Sequence, residues 1–311
     1  MATAFNSLIG QSQAVELLTQ AIAQDRIAPA YLFAGSAGVG KRLAAEAFVE
    51  LLVSDSRHRV AQRNHPDVLW VEPTYLHQGK RLSPVEAEAA GVKKKSPPQV
   101  RLEQVREISR FLSRPPLEAD RAIVIIDQAE TMAEPAANAL LKTLEEPGRA
   151  TLILLAPSAD SLLPTLVSRC QKIPFYRLNL EAIAQILETA GFSEILSHPQ
   201  VLALAQGSPG DAIAHWQKFQ TVPPELLQAV TNLPKSLRET LALARQITKT
   251  LDSEAQLWLV DYLQQTYWQQ AKLSGQSALP VQLLEKARDY LLAFVQSQLV
   301  WEVTLIGMMH I

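Results

Sequence analysis

The residues of this chain best suited to chemistry form the run GSAGVGKR, Gly35 to Arg42. It matches the phosphate-binding pattern G-x-x-x-x-G-K-[ST] except at its last letter, where Arg42 replaces the hydroxyl. In such a loop Gly35, Ser36, Ala37, Gly38, Val39 and Gly40 offer backbone N–H groups to phosphates. Lys41 reaches the terminal pair, and the final hydroxyl helps hold magnesium. A glycine turn carrying a surface lysine is the plainer alternative. Asp127, at the end of AIVIID, stands where a Walker B carboxylate orients hydrated magnesium. Hydrolysing enzymes usually follow it with a glutamate that polarises water, whereas Gln128 follows here. An amide lacks the basic oxygen, which removes a general-base contribution of about 10² to 10⁴. Glu130 is expected to be a surface charge on a helix-starting turn. Arg42 has two outcomes that look alike in sequence: an ion pair with bound phosphate, or a fold back onto an internal carboxylate that blocks the site.

A phosphate loop needs a strand before it and a helix after it, and both are present. YLFA (Tyr31 to Ala34) is a short apolar run, and RLAAEAFVELLV after the loop has helical spacing. Only twelve glycines occur in the chain, and Gly35, Gly38 and Gly40 fall within six residues, as expected of backbone that must approach a ligand. Upstream, Val15, Leu18 and Ile22 predict a helix to about Arg26, with Ser12 as a possible N-cap. AIVIID and TLILLA (Thr151 to Ala156) read as central parallel strands, with a helix through Asn138, Leu140, Leu141 and Leu144 between them, stopped by Pro147 and Gly148. VLWV within HPDVLWVEP predicts another strand. The stretch 74–98 has little periodicity and reads as a surface insertion. Its Lys93, Lys94 and Lys95 could touch nucleic acid, but fit a solvated loop tip better. After Phe175 amphipathic helices take over. A small helical unit runs to about 218, then long helical patterns cover about 235–250, 254–273 and 280–309. Trp258, Tyr262, Trp268, Tyr290 and Trp301 are expected to pack inside that region rather than stack on bases.

Composition bounds the partners. With 311 residues, 48% of them apolar and 19% charged, the chain can bury two or three cores. A net charge of −2 gives no global basic signal, so nucleic acid would be met by a local patch or through other chains. Cys170 is the only cysteine, which excludes an intrachain disulfide and a cysteine zinc site, and the six histidines lack metal spacing. The first residues show no basic leader before an apolar run. No uncharged stretch approaches the roughly 18 to 20 residues of a membrane span, so a cytoplasmic location is expected.

The phosphate loop, HPD, VREI (Val105 to Ile108), IIDQAETM, NALLKTLEEP (Asn138 to Pro147) and SRC (Ser168 to Cys170), in this order, resemble the delta-prime family of bacterial DNA polymerase III clamp-loader subunits, within the AAA+ group. The likeness is good over about residues 5–220. It implies an α/β fold, with a RecA-like AAA+ parallel-sheet module (1–175), a small helical lid (176–218) and an all-α collar for oligomerisation (219–311). It implies a non-motor subunit of the loader, a part of the DNA polymerase III holoenzyme, that helps place the sliding clamp on primed DNA. The partners implied are gamma/tau motor subunits and a delta subunit in a five-subunit ring. Arg169, with Ser168 and Cys170 around it, is implied to be an arginine finger acting in trans on a neighbour's ATP; the plainer alternative is an ion pair with a nearby carboxylate. The motor relatives carry Thr or Ser in place of Arg42 and Glu in place of Gln128. They also have a sensor residue where Pro157 and Ser158 stand, and an arginine where Gly210 stands. No ATPase in the isolated chain is therefore expected; whether the loop takes ATP or ADP is left open, and any such binding is expected to proceed without hydrolysis. Many relatives have a four-cysteine zinc module before HPD; the segment 54–64 lacks those cysteines, so no zinc is expected. Two other readings are an active AAA+ motor of clamp-loader or branch-migration type, and a nucleotide-dependent scaffold unrelated to replication.

Overall fold

A computed structural model describes residues 4–53, 57–92, 96–146, 148–232, 236–274 and 279–309. The chain divides into two compact units, Met1–Ala182 and Ile183–Ile311. In order, the strands are β1 (Ala30–Ala34), β2 (Val68–Val71), β3 (Tyr75–His77), β4 (Lys80–Leu82), β5 (Ala122–Ile126), β6 (Ala150–Ala156) and β7 (Gln171–Pro174). The helices of the first unit are α1 (Ser12–Ala23), α2 (Lys41–Leu52), α3 (Arg57–Ala61), α4 (Pro84–Ala89), α5 (Leu102–Leu112), α6 (Glu134–Glu145) and α7 (Pro164–Val167).

Five strands form an all-parallel sheet in the order β2-β5-β6-β1-β7. The reason is visible in the side chains. β5 and β6 are buried along their whole length, and alternate residues supply two different cores. Tyr31, Phe33, Ile123, Ile125, Ile153 and Leu155 face one core, which α1 and α2 close with Leu18, Ala44 and Phe48. Leu32, Val124, Ile126, Leu152 and Leu154 face the other, closed by Ile108 of α5 and Leu140 of α6. Arranged this way, the sheet presents the C-terminal ends of β1 and β5 along one rim, where open α/β sheets bind ligands. The fold is the RecA-like AAA+ module expected, followed by an all-helical region.

Several local expectations are corrected. Ser12 is the first residue of α1, not its cap; Gln11 holds the cap position without a side-chain cap bond and turns its amide elsewhere. The stretch 74–98 is not irregular throughout. β3 and β4 pair antiparallel around Gln78 and Gly79, both at positive φ, and α4 follows behind a capping box from Ser83 and Glu86. Lys93, Lys94, Lys95 and Pro147 lie outside the described residues.

In the second unit, α8 (Leu180–Thr189, beginning in the first unit), α9 (Pro199–Ala205) and α10 (Pro209–Thr221) are followed by α11 (Pro224–Thr231), α12 (Leu237–Thr250), α13 (Ser253–Ser274), α14 (Leu279–Leu292) and α15 (Ser297–Met309). The pattern over 280–309 is two helices, broken where Phe294 takes a left-handed φ of 56°. Leu226, Ile247, Leu259, Leu263, Trp301 and Leu305 form its core. Trp301 is fully buried and donates its indole N–H to Gln256 Oε1 at 3.0 Å, while Gln256 Nε2 donates to the Leu251 carbonyl at 2.8 Å. Trp216, Phe219, Trp258 and Tyr262 form a continuous aromatic cluster, with ring centres 5.4 to 5.9 Å apart along it. The expected lid–collar boundary at 218/219 thus falls within α10 and within this cluster. Trp258, Tyr262 and Trp301 are buried as expected, but Trp268 and Tyr290 are exposed.

Candidate functional site

The glycine-rich loop leaves β1 at the rim of the sheet and turns into α2. Its first residue stays with the sheet: Gly35 N–H donates to the Ala156 carbonyl at 3.1 Å. A Cβ on Gly35 would lie 2.4 Å from the carbonyl oxygen of Phe175, so no side chain fits there. Gly40, just before α2, has a φ of 102° and gives the helix no side-chain cap. Val39 is buried in the first core and anchors the loop, while Ala37 and Gly38 form its exposed tip.

Gln11 fixes this geometry from outside the loop. Its Nε2 donates to the carbonyls of Val39 at 3.1 Å and Tyr176 at 2.7 Å, and its Oε1 accepts the Tyr176 N–H at 3.0 Å. Nothing in the residues around Gln11 marks it for this role, because its partners lie 28 and 165 positions away. Asp67 of the HPD motif is a second positioning residue. Its buried carboxylate accepts the N–H groups of Leu117, Glu118 and Ala119, each at 2.7 Å, and so holds the approach to β5. Burial alone would push this carboxyl up, but the three N–H donors hold it below the usual carboxylate range.

A cavity of about 560 Å³ opens over the loop, lined among others by Gly40, Lys41, Arg42, Asp127, Glu130 and Pro157. Lys41 Nζ donates to the carbonyls of Gly35 and, at 2.6 Å, Ser36. Arg42 folds back onto carboxylates, as in the second outcome, while the cavity beside it remains. It donates to Glu72 Oε1 at 2.7 Å and lies 3.5 Å from Glu46 and 3.6 Å from Asp127. Burial pushes the Asp127 carboxyl up, against the pull of Arg42. Gln128 is exposed, with a left-handed φ of 48°, and donates its N–H to Asp127 Oδ1 at 2.9 Å. Glu130 is not the surface charge expected. It sits half-buried in a short 3-10 turn (Ala129–Thr131), its Oε2 buried without a hydrogen-bond partner, and burial raises its pKa. The loop and α2 N-terminus therefore fit phosphate, with Lys41 in reach, while the cation already beside Asp127 is Arg42.

Arg169 stands apart from this cavity. β7 runs parallel to β1 with Tyr31 opposite Gln171. The loop leaves the C-terminal end of β1, whereas Arg169 precedes the N-terminal end of β7. It donates to Glu145 Oε1 at 2.8 Å and to the Thr165 carbonyl at 3.0 Å, so it makes the carboxylate pair anticipated as the plainer alternative. Ser168 Oγ donates to Thr165 O at 3.1 Å. Cys170 packs against the second core, and burial pushes its thiol up to about 11. Among the described residues no helix is long and apolar enough to cross a membrane.

The model of the family described as "DNA polymerase III, delta subunit" matches residues 10–179, and that described as "Cyanobacterial DNA polymerase III delta prime, C-terminal domain" matches residues 181–308. DNA polymerase III subunit delta' of Bacillus subtilis (strain 168) is 32% identical over 185 residues, covering 56% of this chain and 50% of its own length. The subunit delta' of Pseudomonas aeruginosa is 32% identical over 232 residues, covering 69% of this chain and 63% of its own. The chain thus spans between half and two thirds of these relatives. In fold, a crystal structure of a DNA polymerase III gamma subunit-related protein from Thermotoga maritima superposes with a TM-score of 0.56 at 19% identity, over 94% of this chain and 97% of that one. With family models matching almost end to end and two relatives of the same description, the chain belongs to the delta-prime family of DNA polymerase III.

Proposed function

We propose that this chain is a non-motor subunit of the DNA polymerase III clamp loader, which helps load the sliding clamp onto primed DNA and donates Arg169 to the ATP of a neighbouring subunit. The observation that carries the reading is the placement of Arg169. It lies at the opposite end of the β1–β7 pair from its own phosphate loop, partly exposed, on short hydrogen bonds that a partner's phosphate can replace. From there its guanidinium cannot serve its own cradle, and a neighbour's γ-phosphate is the ligand it suits. Its planar fork would stabilise the charge that develops during phosphoryl transfer. Ser168 and Cys170 shape the turn that presents it.

In this reading the subunits around it are gamma/tau motors and delta, in a five-subunit ring, with the functional division 1–175, 176–218 and 219–311. Large apolar side chains left exposed near the end of the second unit support assembly through the C-terminal part: Tyr290, Leu292, Phe294, Val295, Leu299 and Val303. The phosphate loop would hold the phosphates of ATP or ADP through its backbone N–H groups and Lys41 without hydrolysing them, since no acid follows Asp127 directly. The test is a loader reconstituted with Arg169→Ala, whose DNA-stimulated ATP hydrolysis should fall while the isolated chain shows none.

One observation favours a second reading, a motor that hydrolyses its own ATP. Glu130 lines the cavity with a buried, unpartnered carboxylate oxygen and could act as base where Gln128 cannot. Magnesium-dependent turnover by the isolated chain, lost in Glu130→Gln, would establish it over the first.

A further inference from the structure

The position that a magnesium ion needs in a phosphate loop is framed by the loop's final hydroxyl and the Walker B carboxylate. In this chain one side chain spans both. Arg42 is the residue at the hydroxyl's position, the second of α2, and its Nη1 lies 3.6 Å from Asp127 Oδ2. It is not a passing surface contact. Glu72 extends β2, the strand paired with β5, and accepts from Nη2 at 2.7 Å; Glu46, one turn along α2, lies 3.5 Å from Nε. The guanidinium carbon also sits 5.6 Å from the centre of the Trp70 ring, and Arg63 braces the same ring at 5.2 Å while sharing Glu72 at 2.8 Å. Three carboxylates and an aromatic face thus hold one cation where the family's motors place another. A divalent ion beside Asp127 would meet this fixed positive charge at contact range, so the residues present do not fit the metal.

We infer that Arg42 is a resident cation that stands in the metal's place: the cradle is closed to divalent ions, and whatever phosphate group it accepts is bound without one. The inference goes beyond the reading of a ring subunit and holds for the isolated chain, so failure of ring assembly leaves it untouched. It also separates two functions usually joined in one motif, since the loop backbone and Lys41 remain while the metal half is replaced.

The experiment is equilibrium binding of ADP to the full chain, by calorimetry, in EDTA and in excess magnesium chloride, for wild type, Arg42→Thr and Arg42→Gln. Arg42→Thr restores the hydroxyl and frees Asp127; Arg42→Gln removes the guanidinium and its charge but keeps the aliphatic stem and a polar end. Wild type should bind equally within about two-fold in both buffers, or not at all in either, and Arg42→Thr should bind at least about ten-fold tighter with magnesium. Manganese, followed by electron paramagnetic resonance in the presence of ADP, should stay free with wild type and become bound with both variants. Wild-type affinity that rises ten-fold or more with magnesium overturns the inference, as does folded Arg42→Thr and Arg42→Gln protein that gains no metal binding. Should Arg42→Thr fail to fold, Arg42→Gln and the wild-type manganese signal decide it alone.

Discussion

Releasing Arg169 from Glu145 tests the trans reading more sharply than deleting the arginine. Arg169 is held by Glu145 at 2.8 Å and by the Thr165 carbonyl at 3.0 Å, and must give up the first to reach a neighbour's phosphate. The side chains are 37% and 53% exposed, so the pair is solvated and contributes about 0.2 to 1 kcal/mol. With RT near 0.6 kcal/mol, that hold reduces the population of free finger by at most about five-fold. Glu145→Gln removes the charge and keeps the shape. ATP hydrolysis by the reconstituted loader should therefore stay level or rise, by no more than about five-fold, and the gain should shrink as salt screens the wild-type pair. Arg169→Ala should remove most of a contribution of about 10³ to 10⁵, and Arg169→Lys, which keeps the charge without the fork, should fall between. The assay is steady-state hydrolysis with primed DNA at two ionic strengths. If Glu145→Gln lowers the rate as deeply as Arg169→Ala, the intact pair is what matters and the finger reading fails; it fails equally if Arg169→Ala changes nothing.

Asp67→Ala leaves three backbone N–H groups without their acceptor and should cost about 1 to 3 kcal/mol in urea denaturation. Because the folded carboxyl is held below its unfolded value, its stabilisation is complete above about pH 4 and is lost as pH falls through the folded value; Asp67→Asn should lack that acid-limb dependence. Gly35→Ala places a Cβ 2.4 Å from the Phe175 carbonyl oxygen and should lower stability by about 1 to 3 kcal/mol, read as a lower melting temperature; an unchanged value would show that the strand ends yield freely. Gln11→Ala should speed hydrogen exchange at the Tyr176 amide; unchanged exchange would show that this bond does not protect it.

The sheet was legible because its strands are apolar on both faces, a pattern that β5 and β6 keep over their whole length and that only a doubly covered sheet explains. The hairpin at 75–82 was not, since its strands are three residues each and mostly exposed, leaving only the Gln78-Gly79 turn as a cue. The break at Phe294 was hidden for the opposite reason: the helical spacing continues across it and no Gly or Pro marks it. At the site, the loop announced itself through its glycines, but the fate of Arg42 depended on Glu72, thirty positions away just past the end of β2. Glu130 was misplaced because an acid at the start of a turn usually meets water, and here the turn tucks beneath the loop. Local pattern identified the cradle; the long-range partners that change its chemistry left no local trace.

The thiol of Cys170 has a practical consequence. Burial pushes this partly buried thiol up to about 11, which lowers its thiolate fraction below that of an ordinary exposed cysteine. The chain's one sulfhydryl should therefore react with alkylating probes more slowly than an exposed cysteine, although it adjoins Arg169. A cysteine introduced at exposed Ser168, which leaves the Arg169–Glu145 pair in place, should react faster than the native one. A fluorophore or spin label could then report, from the neighbouring residue, when Arg169 leaves its resting contacts and meets another subunit.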